Sequence, residues 1–200
     1  MAYTLSRYQS YQEYLDDESL SPDGNYRLLS TGELIEVAEE DDLNIRIAFR
    51  LIALLLRIEN GFYLEHIRNG NKEMQVNPVG DRRMNRKPDL MVLQPEHLET
   101  AKQAILLGSL PPLFVAEVVS PGSKNSDNYK RDYIWKRQQY EELSIPEYWI
   151  IDPHLEKVTV LTLLNGRYEG ETYTASEQII SSIFPALNIS TQKLLKGDVQ

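Results

Sequence analysis

The sequence predicts an α/β fold with a mixed central sheet flanked by helices. The runs Pro112–Val119 and Pro146–Asp152 are almost wholly apolar, as strands covered on both faces should be. The stretch Asn128–Leu143 between them carries helical periodicity, so strand, helix and strand imply a right-handed crossover with parallel pairing. Turn signals elsewhere, Asn165-Gly166 above all, add antiparallel hairpins to this unit and make the sheet mixed.

The remaining elements follow in chain order. Tyr8, Tyr11, Tyr14 and Leu15 recur at helical spacing and predict a short amphipathic helix over residues 7–17, docked at the edge of the domain. Tyr26–Leu29 and Leu34–Val37 flank Thr31-Gly32 and predict a hairpin. The acidic run Glu39–Asp42 complements the dipole of a helix from about Leu43 to Ile58, ended by Asn60-Gly61. Phe62–Ile67 and Glu73–Val76 predict a second hairpin turning at Asn69-Gly70-Asn71. Lys87–Leu93 reads as a strand opened by Pro88, and His97–Leu107 as a helix. Val158–Leu164 and Gly166–Thr174 form the last hairpin, and the tail beyond Pro185 is expected to be peripheral, with a short helix and a frayed end.

With 200 residues, 42% hydrophobic and 26% charged, the chain is expected to be one domain spanning residues 1–200. The absence of Cys excludes disulfides and thiolate metal sites, so any metal must be held by oxygen or imidazole. The apolar stretch Ile45–Ile58 is interrupted by Arg46, Arg50 and Arg57, a helix pattern unlike a membrane span. Met1-Ala2-Tyr3-Thr4 has no signal-sequence character, and a cytoplasmic location is expected. The net charge of −9 argues at first against a nucleic-acid partner. It is local, however: Glu13–Asp42 holds eleven acidic residues and one basic one, leaving the rest of the chain close to neutral. Two basic clusters stand out there, Arg82, Arg83, Arg86 and Lys87, and Lys124, Lys130, Arg131, Lys136 and Arg137. Charge alone would make them a solvated face.

Glu117 is the exception within its apolar strand. An ionised carboxylate is expensive to bury without compensation, and a metal ion is one such compensation. An Arg or backbone N–H groups are another. Strand alternation sets Val115, Glu117 and Val119 on one face, and Asp89 opens the other apolar run. If the two strands are neighbours, Asp89 and Glu117 converge where Mg2+, an oxygen-seeking ion that keeps several waters, would bind. Asp89 alone also fits a Pro-Asp turn bonding its local backbone. His66, His97 and His154 lack metal-ligand spacing, Ser120-Pro121-Gly122-Ser123 lacks the P-loop pattern, and Tyr129, Tyr133, Tyr140 and Trp135 read as core.

Pro88-Asp89, Ala116-Glu117-Val118-Val119-Ser120-Pro121, Asp132 with Lys136 and Tyr140, and Ile145–Pro153 occur in this order and together resemble the Uma family of bacterial endonucleases, within the PD-(D/E)xK nuclease superfamily. The likeness runs from about Tyr8 to the hairpin near Tyr168. It implies a restriction-endonuclease-like core and a Mg2+ site on Asp89 and Glu117, with Mn2+ able to substitute. Hydrolysis of nucleic-acid phosphodiesters, DNA before RNA, is the activity implied. The superfamily motif places Lys two residues after the Glu, where this chain has Val119; the resemblance assigns the displaced lysine to Lys136. Lys136 also fits an ion pair with Asp132, four residues earlier on a helix. Relatives place a His near the start of the first long helix, where this chain has Asn44; a third acidic ligand falls to Glu36, ahead of Glu40. The alternatives are a non-catalytic module that keeps the fold to bind nucleic acid or protein, and hydrolysis of another phosphorylated substrate. A homodimer would present two sites to the two strands of a duplex.

Overall fold

The computed structural model describes residues 7–21, 24–38, 41–58, 64–123 and 125–197. The elements run α1 (Tyr11–Leu15), β1 (Tyr26–Leu28), β2 (Leu34–Glu36), α2 (Asp42–Leu55), β3 (Ile67–Arg68), β4 (Glu73–Gln75), β5 (Asn85–Arg86), β6 (Leu90–Val92), α3 (His97–Thr100), β7 (Ala104–Ile105) and β8 (Phe114–Val118). There follow α4 (Asp127–Lys130), a π-helical turn (Arg131–Trp135), α5 (Lys136–Glu142), β9 (Glu147–Asp152), β10 (Lys157–Leu164), β11 (Arg167–Thr174) and α6 (Thr191–Lys196). Among the described residues no helix is long and apolar enough to cross a membrane.

The central sheet has the order β11-β10-β9-β8-β6-β3. β8 and β9 pair in parallel, as the crossover requires, while β6–β8, β3–β6, β9–β10 and β10–β11 are antiparallel. The sheet is therefore mixed, as the sequence predicts. Alternation sends Phe114, Ala116, Val118, Trp149 and Ile151 to one face, where they meet Ile47, Leu51 and Leu55 of α2. Val115, Val119, Tyr148 and Ile150 face the other way, towards Tyr140 of α5. The last hairpin turns at Asn165 and Gly166, both at positive φ, the conformation that Asn-Gly supplies at little steric cost.

Two sequence expectations are corrected. The hairpin expected of 62–67 with 73–76 is not found among the described residues: β3 joins the central sheet beside β6, and β4 leaves for a small sheet of order β5-β4-β7. The helix expected over 97–107 stops at Thr100, and Ala104–Ile105 pairs in parallel with β4. In both cases short apolar runs found partners in a second sheet that local periodicity does not encode. The helix end expected at Asn60-Gly61 lies outside the described residues.

The first helix and the segment after β11 are each tied in through a buried carboxylate. Glu73 on β4 accepts from the hydroxyls of Tyr11 (2.5 Å) and Tyr14 (3.0 Å), so α1 is anchored by the residues that gave it helical spacing. Glu147, fully buried at the start of β9, accepts from Trp149 Nε1, the Ser181 hydroxyl, and the N–H and hydroxyl of Ser182 at 2.6–2.8 Å. That cradle leads the tail back under the sheet, where Phe184, Leu187, Ile189, Leu194 and Leu195 complete the core rather than lying at its periphery. Glu147→Gln turns an acceptor into an N–H2 group facing donors, and should lower stability by about 2 kcal/mol in a urea titration. An unchanged midpoint would show that this cradle does not hold the tail.

Candidate active site

β6 and β8 bring the two sequence-predicted carboxylates together. Leu90 pairs with Ala116, so continuing the register by one residue sets Asp89 opposite Glu117. Both positions lie on the face that Met91, Val115 and Val119 share. Asp89 Oδ2 accepts the Val118 N–H at 2.6 Å, which fixes the carboxyl at the strand junction. Both residues are buried, Glu117 to 1% exposure.

Lys136 reaches them from α5. Its Nζ lies 2.9 Å from Glu117 Oε2 and 3.0 Å from Asp132 Oδ1. The helical ion pair and the site lysine are thus one arrangement, placed in the interior. Tyr140 donates its hydroxyl to Glu117 Oε1 at 2.5 Å. Side chains four residues apart overshoot one turn in an α-helix and fall short of one in a π turn. The π turn at Arg131–Trp135 followed by α-helical Lys136–Glu142 therefore keeps Asp132, Lys136 and Tyr140 in line with Glu117.

The charges are balanced within the cluster. Burial would pull the Lys136 pKa down, but Asp132, Glu117 and Asp89 outweigh it, so the ammonium is held charged above its ordinary value. Asp132 is fully buried, which alone would raise its pKa; Lys136 and Arg131 overcome this and hold it below the usual carboxylate range. Burial, with the nearby Glu117 carboxylate, pushes the Tyr140 phenol well up, so it remains a hydrogen-bond donor.

A cavity of about 290 Å3 opens over Glu117 and Lys136. Its walls carry Arg27, Arg83, Arg86, Lys87 and Arg131, with Val37, Ala38 and Asp41 on the side of the β1–β2 hairpin. Parts of both basic clusters thus converge here. Ser120 and Pro121 form a turn at the rim, as the sequence implies, and the Ser120 hydroxyl accepts from Arg131 at 3.2 Å. Lys130 instead pairs with Asp127, and Lys124 lies outside the described residues.

Glu36 is not brought to the cavity: it is exposed at the end of β2, opposite Tyr26, two residues beyond the strand's buried Leu34. Glu40 lies outside the described residues. The carboxylate that does line the wall is Asp41, the N-cap of α2, which accepts the Leu43 N–H at 2.8 Å. Asn44, where relatives place a His, is buried against β8 and donates to the Val118 carbonyl at 3.3 Å. Among the described residues no group of three or more His, Asp or Glu could hold a metal, so the candidate ligands are the pair Asp89 and Glu117. A Mg2+ ion held by one or two carboxylates, with waters and substrate oxygens completing its shell, fits that donor set.

Sequence reasoning missed Arg27 and the role of Tyr140. Arg27 is the one basic residue in the acidic stretch from Glu13 to Asp42, a signal that was there to be used. Tyr140 reads as core and is core, fully buried, yet its hydroxyl is the partner of Glu117.

A family model described as "Putative restriction endonuclease" matches residues 9–192. The chain belongs to the Uma2 family. Among solved structures, the crystal structure of "a putative nuclease belonging to DUF820" from Anabaena variabilis ATCC 29413 matches with a TM-score of 0.57 at 14% identity, over 86% of this chain and 90% of that one. That likeness establishes a shared restriction-endonuclease-like fold. A comparison with curated proteins returns no match. Within this Uma2 chain the position two residues after Glu117 is the buried Val119, packed in the core, and the ammonium beside the carboxylate comes from Lys136 on the following helix.

Asp132→Asn tests the internal balance. It should cost about 2 kcal/mol at neutral pH, since a buried charge-assisted contact to Lys136 is lost. Because the folded pKa of Asp132 lies below its ordinary 3.8, its contribution is complete above that value and disappears as pH falls through the folded one. Urea midpoints of parent and variant should therefore converge in acid. A gap that persists unchanged would contradict the assignment.

Proposed function

We propose that this protein is a metal-dependent endonuclease that hydrolyses nucleic-acid phosphodiester bonds, with DNA as the substrate, acting in the cytoplasm. The observation that carries the reading is the buried Glu117, beside Asp89 in register and 2.9 Å from Lys136 Nζ, at the floor of a cavity walled by arginine and lysine. The family's description as restriction endonucleases supports DNA as the substrate.

In this reading Asp89 and Glu117 hold Mg2+, or Mn2+ in its place. The bound ion would supply positive charge to the phosphate and lower the pKa of an attacking water. Asp89 is aimed by the Val118 N–H, and Glu117 by the Tyr140 hydroxyl, so neither carboxylate must reorganise when charge builds up. Lys136 keeps its proton on Nζ, which suits it to donate to the scissile phosphate or to the water and unsuits it to act as a base. Asp132 positions Lys136 from the far side. A non-catalytic binding module has no need of a carboxylate pair buried in apolar strands.

The test is cleavage of plasmid and oligonucleotide substrates with Mg2+ or Mn2+ by the parent, Asp89→Asn, Glu117→Gln and Lys136→Ala. Loss of a preorganised electrostatic group typically costs about 10²–10³ in rate, and each variant should lose at least that much while remaining folded. Cleavage by Glu117→Gln at the parent rate would refute the site. A folded parent that binds nucleic acid without cutting it under either metal would leave the binding module as the function.

A further inference from the structure

The cavity holds more positive charge than its catalytic cluster uses. Lys136 and Arg131 are committed to Glu117 and Asp132, and Lys87 donates to the Gly24 carbonyl at 3.2 Å. Arg27, Arg83 and Arg86 remain, all three lining the cavity and close enough to repel one another. They are brought together by the small sheet: the Asn85 side-chain oxygen accepts the Leu28 N–H at 2.9 Å, and Leu29 bridges to Arg83, which locks the β1–β2 hairpin to the segment carrying Arg83 and Arg86. Arg82 at φ +56° makes the tight turn that delivers Arg83.

Asp81 is the carboxylate that ion-pairs with this wall, shared between Arg86 Nη2 at 2.9 Å and Arg83 Nε at 3.4 Å. Arg83 therefore presents both Nη groups beyond that pair. Arg27 is only 7% exposed, and its hydrogen bonds go through Nη1 to Asn25 Oδ1 and the Tyr26 carbonyl. Arg86 is 2% exposed, and its Nη1 has no acceptor. Burial and the crowding of Arg86, Arg27 and Arg131 around it bring the Arg83 guanidinium down to about 10, despite Asp81. Arg83 and Arg86 share the one carboxylate Asp81, and Arg27, near Glu73 and Glu117 but ion-paired with neither, stands close enough to repel both; three nearly buried guanidinium groups this close are costly to hold together unless a further anion joins them.

We infer that Arg27, Arg83 and Arg86 form an anion subsite that takes a phosphate group of the substrate strand, separate from the one held by the carboxylates. Planar guanidinium forks match phosphate oxygens in pairs, and Arg83 is the member with the most open contact to the cavity. Arg86 adds charge from behind. The subsite rests on the nuclease reading for its substrate but on different residues, and it binds without metal.

The experiment is fluorescence anisotropy of a labelled single-stranded oligonucleotide in EDTA, over a salt series, with the parent, Arg83→Ala, Arg27→Lys and the surface control Arg46→Ala. Arg83→Ala should weaken binding tenfold or more and reduce the salt slope by about one phosphate contact. Arg27→Lys should weaken it less, while Arg46→Ala should bind no worse than the parent. No binding by the parent, or Arg83→Ala binding like the parent, overturns the subsite. If Arg83-dependent binding is present but the parent cuts nothing, the subsite stands and the nuclease reading falls; if the parent cuts but Arg83 is irrelevant to binding, the reverse holds.

Discussion

Glu117 is the fourth of five residues in a strand with no exposed position, and its carboxylate is met by one ammonium and one phenol, Lys136 and Tyr140, from the helix across that face. Taking an ionised carboxylate out of water costs several kcal/mol, and the cost is offset only when the partner geometry is good. Much of the surrounding architecture follows from meeting that condition. The helix must cross this face of the sheet, its π turn must hold Asp132, Lys136 and Tyr140 in line, and Asp132 must in turn satisfy Lys136. Removing any one of these leaves another buried group one partner short.

The peripheral elements serve the same centre from the outside. The β1–β2 hairpin and the small β5-β4-β7 sheet contribute little to the main core, yet they carry Arg27, Arg83 and Arg86 to the wall of the cavity. Glu73 ties α1 to that small sheet, and Glu147 ties the tail to the main one. In each case a buried acid is held by hydroxyl or N–H donors. Glu117, by contrast, has a cation and faces a cavity. That contrast is what sets Glu117 apart as the carboxylate proposed for chemistry.

The central sheet was legible in the sequence because its strands are continuous apolar runs, and Glu117 announced itself by interrupting one of them. Asp89 was legible with it, since two such strands as neighbours leave few registers that keep both apolar faces inside. The small sheet was not legible, because Ala104–Ile105 and Asn85–Arg86 are two-residue pairings set by tertiary contact. The same blindness hid the arginine wall: Arg27 is 56 residues from Arg83 in sequence, and only the hairpin's docking brings them together. Glu36 was a reasonable third ligand by type, but it sits at the exposed end of β2, and the α2 cap Asp41 took the place beside the cavity.

The account turns on whether Asp89 and Glu117 act as a pair towards a divalent cation. The most direct measurement is the anomalous scattering of Mn2+ soaked into crystals of the parent and of Glu117→Gln. A peak within coordination distance of both carboxylates in the parent, absent from the variant, is the predicted result. A peak elsewhere, or none in a parent that nevertheless cleaves nucleic acid with Mn2+ present, would contradict the account.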